Sequence, residues 1–227
     1  MKRLISLTTA AFGILLSSSV LAAQFLTVLT VETNDVPGYA EFVGDLNEVW
    51  KAENVPASGA VYVPVQAGEQ VGVAYFVAWA DTGAEWMAMG NSTTENKAVA
   101  DVIANAEAIR TRVGNSLWTA LLDGGVYEPG VVYVTNVTTT DTAAYLESIG
   151  RLGELLSANG LEDAKVSVYS AVAAGAEAGP LQVIISLPSQ ERMAAMMDAM
   201  NSDWLREFLG SVAPIRTLVS NGIFATV

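Results

Sequence analysis

The sequence repeats itself, because two segments about a hundred residues apart share residue types at matching positions. Residues 109–115 (IRTRVGN) and 215–221 (IRTLVSN) agree at five of seven positions, with an offset of 106. Residues 28–48 agree with residues 134–154 at nine of 21 positions with the same offset, and one inserted residue then shifts the offset to 107. Chance does not produce agreement this frequent. The chain is therefore a tandem duplication, and its fold must be built from two similar units.

Each copy has the same order of predicted secondary-structure elements. A β-rich run comes first, and Asp35 or Asp141 follows it at the position of a helix N-cap. The next residues place apolar side chains on one helical stripe, and two strands, a second helical region and a last strand follow. This βαββαβ order predicts an α+β fold with two tandem ferredoxin-like repeats.

Several local details are predicted as well. Gly44 and Gly150 recur in the first helix of each copy, where Gly costs about 1 kcal/mol relative to Ala, and this favours a close approach of the helix to its packing partner. The second helical regions, residues 84–110 and 189–213, are expected to break near residues 91–92 and 201–202. The last strands are predicted at residues 117–122 and 223–227.

A sheet of this kind needs a partner for one of its faces. Residues 71–80 are apolar on both faces of a predicted strand, whereas the helices of a βαββαβ unit can cover only one face. The second copy can cover the other face, which predicts an intramolecular barrel. The predicted division is a signal peptide at residues 1–23, repeat 1 at 24–123, a linker at 124–130 and repeat 2 at 131–227.

With this repeat and element order, the chain resembles the dimeric α/β-barrel superfamily in its fused, two-repeat form. That group includes antibiotic-biosynthesis monooxygenases, EthD-like and NIPSNAP-like proteins, and haem-binding relatives of chlorite dismutase. The resemblance covers essentially all of residues 24–227 and includes no signature motif of one family. It implies that a single chain closes the barrel and is a monomer. It also implies one possible activity, a cofactor-independent oxygenase or isomerase.

The first residues have the pattern of a secretory signal peptide. Lys2 and Arg3 precede an apolar stretch, and small residues then allow cleavage after Ala22 or Ala23. The alternative is an uncleaved N-terminal anchor. No cysteine follows the stretch, which excludes a lipid-anchored lipoprotein. A periplasmic or secreted bacterial protein is expected.

The remaining chain is acidic and contains no cysteine. The full sequence has a net charge of −13, and loss of Lys2 and Arg3 leaves 9 basic and 24 acidic residues. Such a charge repels nucleic acid and anionic membrane surfaces, so neither is an expected partner. No later segment has the length and apolarity of a membrane span.

The residue types that are missing restrict the chemistry. The chain has no His and no Cys, so it lacks both imidazole bases and thiolate nucleophiles. Haem-binding relatives commonly use a His ligand, which this sequence cannot supply. Ligation by Tyr or Met is the remaining alternative, and no pattern in the sequence supports it. No cofactor, metal site or catalytic residue is predicted.

A possible ligand site can still be proposed from aromatic and repeated polar residues. Trp50, Trp79, Trp86 and Trp118 occur in the first copy only, and aromatic side chains can either line a cleft or fill a core. Arg110 and Arg216, with the nearby Asn115 and Asn221, either converge on an anionic ligand or hold the turn before the last strand. The candidate ligand-binding residues are Tyr75, Trp79, Trp86, Arg110 and Arg216.

Two further patterns have simpler explanations. Four methionines spaced i, i+3, i+4, i+7 could bind Cu(I) but are more typical of a buried helix face: Met193, Met196, Met197 and Met200. Scattered carboxylates indicate a solvated surface: Asp81, Glu85, Asp101 and Glu107.

Taken together, the sequence favours an exported, non-catalytic protein that binds a small apolar ligand or a protein partner. The alternative is a cofactor-independent monooxygenase-like or isomerase-like enzyme that acts on a small apolar or aromatic substrate.

Overall fold

Eight strands form the sheet, four from each copy of the repeat. The computed structural model describes residues 25–66, 73–173 and 181–227. The first copy contributes β1 (Phe25–Glu32), β2 (Ser58–Gln66), β3 (Val73–Ala80) and β4 (Thr111–Leu122). The second copy contributes β5 (Val131–Thr139), β6 (Lys165–Ala173), β7 (Leu181–Leu187) and β8 (Arg216–Thr226). The predicted signal peptide and the loops expected between the paired strands of each copy lie outside the described residues.

Helices connect the strands in the predicted order. They are α1 (Val36–Ala52), α2 (Gly83–Glu95), α3 (Lys97–Ala106), α4 (Thr142–Ala158), α5 (Gln190–Ala199) and α6 (Asp203–Val212). The predicted N-caps are confirmed, because the side chain of Asp35 accepts from the Gly38 amide at 2.9 Å and that of Asp141 from the Ala144 amide at 3.0 Å. None of the described helices has both the length and the hydropathy needed to cross a membrane.

The second helical region is divided in both copies, although one division lies away from its predicted position. The break at residues 201–202 is confirmed, and Ser202 caps α6. The break predicted near residues 91–92 is wrong, because α2 continues to Glu95. Ser92 keeps its hydroxyl within the helix by donating to the Met89 carbonyl, whereas Asn96 leaves the helix and caps α3.

The last strands begin earlier than predicted, at Thr111 and Arg216. The polar residues at the start of β4 resemble a loop in composition, but they pair with β1 along its full length, from Phe25 opposite Thr119 to Glu32 opposite Thr111. Backbone pairing with a neighbouring strand therefore extends β4 beyond its apolar part. The same reasoning holds for β8, which pairs with β5 as far as Arg216 opposite Thr139.

The eight strands close into a barrel. Their order around the barrel is β1-β3-β2-β8-β5-β7-β6-β4, with antiparallel pairing at every step. A strand of one copy pairs with a strand of the other copy at two places, β2 with β8 and β6 with β4. The two pairs have equivalent residues opposite each other. Tyr62 of β2 pairs with Thr226 of β8, and their equivalents at offsets of 107 and 106, Tyr169 and Ala120, pair between β6 and β4. The predicted intramolecular barrel of two ferredoxin-like repeats is thus confirmed.

The ring order also fixes the direction of the internal symmetry. Strands β1 and β5 lie four steps apart in a ring where neighbours run antiparallel, so they run in the same direction. The pseudo-two-fold axis therefore lies along the barrel axis, and equivalent residues of the two copies lie at the same end of the barrel.

Three separate cores stabilise this arrangement. One core per copy lies between its helices and the outer face of its sheet, and includes Tyr39 and Trp50 in copy one and Tyr145 and Leu156 in copy two. The third core lies inside the barrel and combines residues of both copies, such as Tyr62 and Ile184. Strand β3 therefore packs side chains into a core on each of its faces, as predicted.

The recurring helix glycines do not mark a close approach, contrary to the prediction. Gly44 and Gly150 are exposed, and a Cβ atom added to either residue would have no neighbour within 4 Å. They lie on the solvent side of α1 and α4, away from the sheet.

Candidate functional site in the barrel interior

The barrel surrounds a cavity of about 640 Å³, which is open to solvent where exposed residues of β4 and β8 line it. Side chains alternate along each strand, so every second residue points into the barrel, and an eight-stranded barrel can leave room for a small ligand. The volume falls within the range of pockets that hold small molecules, roughly 300–1,000 Å³. The cavity is therefore the candidate site.

Aromatic side chains occupy one end of the cavity, here called the aromatic end. Leu26 of β1 lies between Trp79 of β3 and Trp118 of β4, and Phe224 of β8 lies on the opposite side of the barrel beside Val132. Trp118 is 2% exposed, and its indole Nε1 donates to Ser116 Oγ at 2.9 Å. This end offers flat apolar surfaces.

The other end is lined by neutral polar side chains and is here called the polar end. Thr30 of β1 lies opposite Tyr75 of β3, and Asn136 of β5 lies between Gln182 of β7 and Ser220 of β8. In the second copy these side chains are hydrogen-bonded in a row across three strands: Gln182 Nε2 donates to Asn136 Oδ1 at 3.1 Å, and Asn136 Nδ2 donates to Ser220 Oγ at 2.9 Å.

The linker between the copies lies against the aromatic end. Two fully buried serines of the second copy hold its backbone: the Gly124 amide donates to Ser167 Oγ at 3.0 Å, and the Tyr127 amide donates to Ser186 Oγ at 2.9 Å. Ser186 is the equivalent of Trp79 at the offset of 107. A small residue at this position leaves space for the linker, whose Val126 lines the cavity.

The cavity is electrically neutral as far as its described lining shows. Its only ionisable side chains there are two phenols. Burial raises the pKa of Tyr75 to about 12, and burial, followed by the nearby Glu128 and Tyr169, raises the pKa of Tyr62 further. Both phenols are therefore protonated at neutral pH and can donate hydrogen bonds, but they do not act as bases under these conditions.

The structure brings two of the five predicted ligand-binding residues into this cavity. Tyr75 and Trp79 line it. Trp86 lies on the helix side of the sheet, where its Nε1 donates to Thr27 Oγ1 at 3.0 Å and its ring stacks on Phe25. It packs against the outer core of copy one, because α2 carries it to the outer face.

The two predicted arginines also lie outside the cavity and do not converge on one point. Arg110 Nη1 donates to the Tyr39 hydroxyl at 3.0 Å, and its guanidinium lies over the ring of Phe42 at 5.1 Å. Arg216 lies beside Tyr145, where burial raises the pKa of the phenol and Arg216 opposes the rise. Each arginine thus contacts the first helix of its own copy.

Hydrogen bonds at the repeated IRT segments explain why these segments recur. Thr33 Oγ1 donates to the Ile109 carbonyl at 2.7 Å, and Thr139 Oγ1 donates to the Ile215 carbonyl at the same distance. Asn221, in the second segment, donates to the Tyr133 hydroxyl. The two threonine contacts join the end of β1 or β5 to the start of the last strand.

Sequence reasoning missed most of the polar lining, although the repeated Asn115 and Asn221, considered above with the arginines, do line the cavity. Asn136, Gln182 and Ser220 were not among the candidates, although the repeat offsets align Asn136 with Thr30 and Gln182 with Tyr75. Because side chains alternate along a strand, the alignment of the two copies predicts that Gln182 points to the same face of its strand as Tyr75 does. Trp118 also lines the cavity, although it is not one of the five predicted ligand-binding residues.

The simpler explanations hold for the remaining patterns. Met193 and Met196 are buried in the outer core of copy two, with Met197 and Met200 packed against it. Glu85 completes the capping box of α2, while Asp101 and Glu107 pair with exposed basic residues. No group of three or more His, Cys, Asp or Glu that could hold a metal occurs within the described part of the chain.

The residues of the cavity do not fit a haem group. The chain contains no His or Cys, and the described lining includes no Met that could act as an axial ligand. Its two tyrosines have raised pKa values, which disfavour the phenolate form that an axial ligand requires. The lining also offers no cationic side chain, within its described part, to pair with the haem propionates. The haem chemistry of some proteins with this fold is therefore not assigned here.

Proteins of very different sequence share this fold. A candidate monooxygenase from Fusobacterium nucleatum has a TM-score of 0.57 at 12% identity, covering 90% of this chain and 95% of that one. A candidate monooxygenase from Lactobacillus acidophilus has a TM-score of 0.57 at 9% identity (90% and 93% covered), and a candidate chlorite dismutase has 0.54 at 10% (90% and 95%). No protein-family model and no curated protein matches the sequence. These likenesses confirm the dimeric α/β-barrel fold, and at such identities they show the fold alone.

Proposed function

We propose that this chain, as a dimeric α/β barrel closed by its own two repeats, binds a small, flat and largely apolar molecule inside the barrel without transforming it. The observation that carries the proposal is the cavity of about 640 Å³ with an aromatic end and a neutral lining. Transfer of an apolar molecule from water to such a surface is favourable by roughly 25 cal/mol per Å² buried. The described lining contributes no carboxylate, ammonium or imidazole that would act as a base or nucleophile at neutral pH.

A neutral fluorescent probe tests the proposal directly. N-phenyl-1-naphthylamine is uncharged, flat and apolar, and its emission increases when it leaves water. Val134→Phe adds a ring inside the cavity and is expected to weaken probe binding by about tenfold or more, which corresponds to about 1.4 kcal/mol. Leu121→Phe, at a residue that is 42% exposed, is the control and should leave binding unchanged. Equal binding to both variants would place the probe elsewhere and would reject the proposal.

The second candidate function is a cofactor-independent oxygenase that uses the same cavity. The fold shared with two candidate monooxygenases favours it. Against it, the phenols of the cavity have raised pKa values, so the substrate would have to lose its proton without help from them. Incubation of the purified protein with a bound aromatic molecule in air separates the two functions. Recovery of the unchanged molecule supports binding alone, whereas a mass increase of one or more oxygen atoms supports the oxygenase.

We also infer that the protein acts outside the cytoplasm. The basic and apolar pattern of residues 1–23 supports export. The mass of the protein recovered from the periplasm tests this: a chain that begins at residue 23 or 24 is expected, and a full-length chain would contradict cleavage.

A further inference from the structure

The hydrogen-bonded row at the polar end has a direction. Gln182 donates to Asn136, and Asn136 donates to Ser220. The row therefore leaves the Ser220 hydroxyl hydrogen as a donor at one end. At the other end Gln182 keeps its second Nε2–H, which can donate to a carbonyl, and its Oε1 atom, which can accept from a hydroxyl. Hydrogen bonds that run in one direction along a chain strengthen one another.

The two copies contribute differently to this end. Gln182, Asn136 and Ser220 of copy two have as their equivalents Tyr75, Thr30 and Gly114 of copy one. Across the described residues, neither the Tyr75 hydroxyl nor the Thr30 hydroxyl has a hydrogen-bond partner. The polar end thus presents the row of two amides and a hydroxyl on one side, and on the other side two hydroxyl groups that no described residue engages.

The charge of a ligand follows from what the lining offers. An ion that left water for this cavity would find no opposite charge among its described lining residues, and burial of an unpaired ion is unfavourable. The negative net charge of −13 adds repulsion against anions. A neutral carbonyl or hydroxyl group, in contrast, can exchange hydrogen bonds with amides and hydroxyls.

We propose that the ligand is an uncharged aromatic molecule with a carbonyl or hydroxyl group at one end, which binds with this group at the polar end and its ring at the aromatic end. Tyr75 donates to the polar group from copy one, and the amide row, through Gln182, completes its hydrogen bonding from copy two. The ring lies among Trp79, Trp118 and Phe224. This inference rests on the proposed binding function.

Three naphthalene probes test the inference on the full-length mature protein. 2-Acetylnaphthalene carries a neutral carbonyl, 2-ethylnaphthalene has the same shape without one, and 2-naphthoate carries a charge. Dissociation constants for all three are measured by the quenching of tryptophan fluorescence. The ketone is expected to bind at least about tenfold more tightly than the carboxylate, because the ion is buried without a partner.

Two variants examine the polar end, and one variant serves as a matched control. Tyr75→Phe and Gln182→Leu are each expected to weaken binding of the ketone by about two- to tenfold while leaving binding of the ethyl compound unchanged, which is the range for one neutral hydrogen bond. Tyr145→Phe removes the same phenol group from the outer core of copy two, away from the cavity, and is expected to change neither probe.

The outcomes distinguish this inference from the proposed function. If all three probes bind and neither Tyr75→Phe nor Gln182→Leu alters the ratio of ketone to ethyl affinity, the inference is wrong and the binding function remains. The inference is also wrong if the carboxylate binds as tightly as the ketone. If none of the probes binds, the proposed function fails, and this inference fails with it.

Discussion

At the scale of single residues, the most specific repeated positions stabilise the fold of each copy. Arg110 covers the rings of Tyr39 and Phe42 and donates to the Tyr39 hydroxyl, all on the helix side of the sheet. Tyr39 is fully buried, and its phenol would otherwise face the apolar core of copy one. The recurrence of Tyr and Arg at an offset of 106 therefore has a structural cause.

The first prediction concerns Arg110. Arg110→Met keeps much of the apolar stem but removes the guanidinium, and should lower the free energy of unfolding by about 1–3 kcal/mol, the usual range for a hydrogen bond to a charged group. Urea unfolding measures this change. Binding of N-phenyl-1-naphthylamine should stay the same, because Arg110 lies outside the cavity.

Arg112 offers a matched control for that variant. Its pair with Glu107 is exposed, so Arg112→Met should change stability by less than about 1 kcal/mol. Loss of probe binding in Arg110→Met at unchanged stability would instead support the prediction that Arg110 contacts a ligand.

At the scale of secondary-structure elements, the helices contain glycines that packing does not require. Gly150 lies in the interior of α4, is exposed and has open space around its Cβ position. Gly150→Ala should raise the free energy of unfolding by about 0.5–1 kcal/mol, because Ala has the higher helix propensity and restricts the unfolded chain. Urea unfolding would detect the shift in midpoint.

The linker contains a glycine for which the opposite result is expected. A Cβ atom at Gly124 would lie 2.4 Å from the Val166 carbonyl oxygen, a backbone atom that cannot move without disturbing β6. Gly124→Ala should therefore destabilise the protein, by about 1–3 kcal/mol as for other overpacked sites. A stabilising effect of this substitution would show that the linker is not held against β6.

Element order could be predicted from the sequence because each copy provides an independent example of the same pattern. The N-cap aspartate and the apolar helix stripe of one copy occur again at the equivalent positions of the other copy. The two faces of β3 could be assigned because side chains alternate along a strand. The starts of β4 and β8 could not be predicted, because their polar residues become strands only by pairing with β1 and β5. The break at Asn96 was predicted too early in the chain, at residues 91–92. Ser92 can remain inside α2 because its hydroxyl donates to the Met89 carbonyl.

The candidate site was predictable only in part, for a physical reason. Tyr75 and Trp79 could be predicted because they are aromatic residues on one face of an apolar strand. Asn136 and Gln182 lie on strands where a polar side chain usually faces solvent, and only closure of the barrel by the other copy encloses them. Burial that depends on contacts between distant parts of the chain leaves no local sequence pattern.

At the scale of the whole molecule, folding buries many phenols and so affects the response to alkaline pH. Burial raises the pKa values of five tyrosines above 10, the ordinary value of a tyrosine side chain in water: Tyr39, Tyr62, Tyr75, Tyr145 and Tyr169. Above pH 10 the unfolded chain releases phenol protons that the folded chain retains, so stability is retained below that pH and decreases as pH rises beyond it.

The corresponding prediction can be checked by ultraviolet titration of phenolate absorbance. In the folded protein, part of this absorbance should appear only above pH 10, and for Tyr75 only near pH 12. Denaturant should bring all phenols to the ordinary midpoint, about pH 10. Titration of every phenol near pH 10 in the folded protein would contradict the burial described here.

Because a single chain closes the barrel, the two halves of the barrel do not have to be identical. In a barrel built from two copies of one shorter chain, each substitution would appear twice, and a molecule with two different sides could bind in either of two equivalent poses, related by half a turn about the barrel axis. Here a mutation changes the side of the cavity that belongs to one copy only. Trp79 of copy one corresponds to Ser186 of copy two, which leaves space for the linker, and Tyr75 corresponds to Gln182. An unsymmetrical ligand would consequently be held in a single pose.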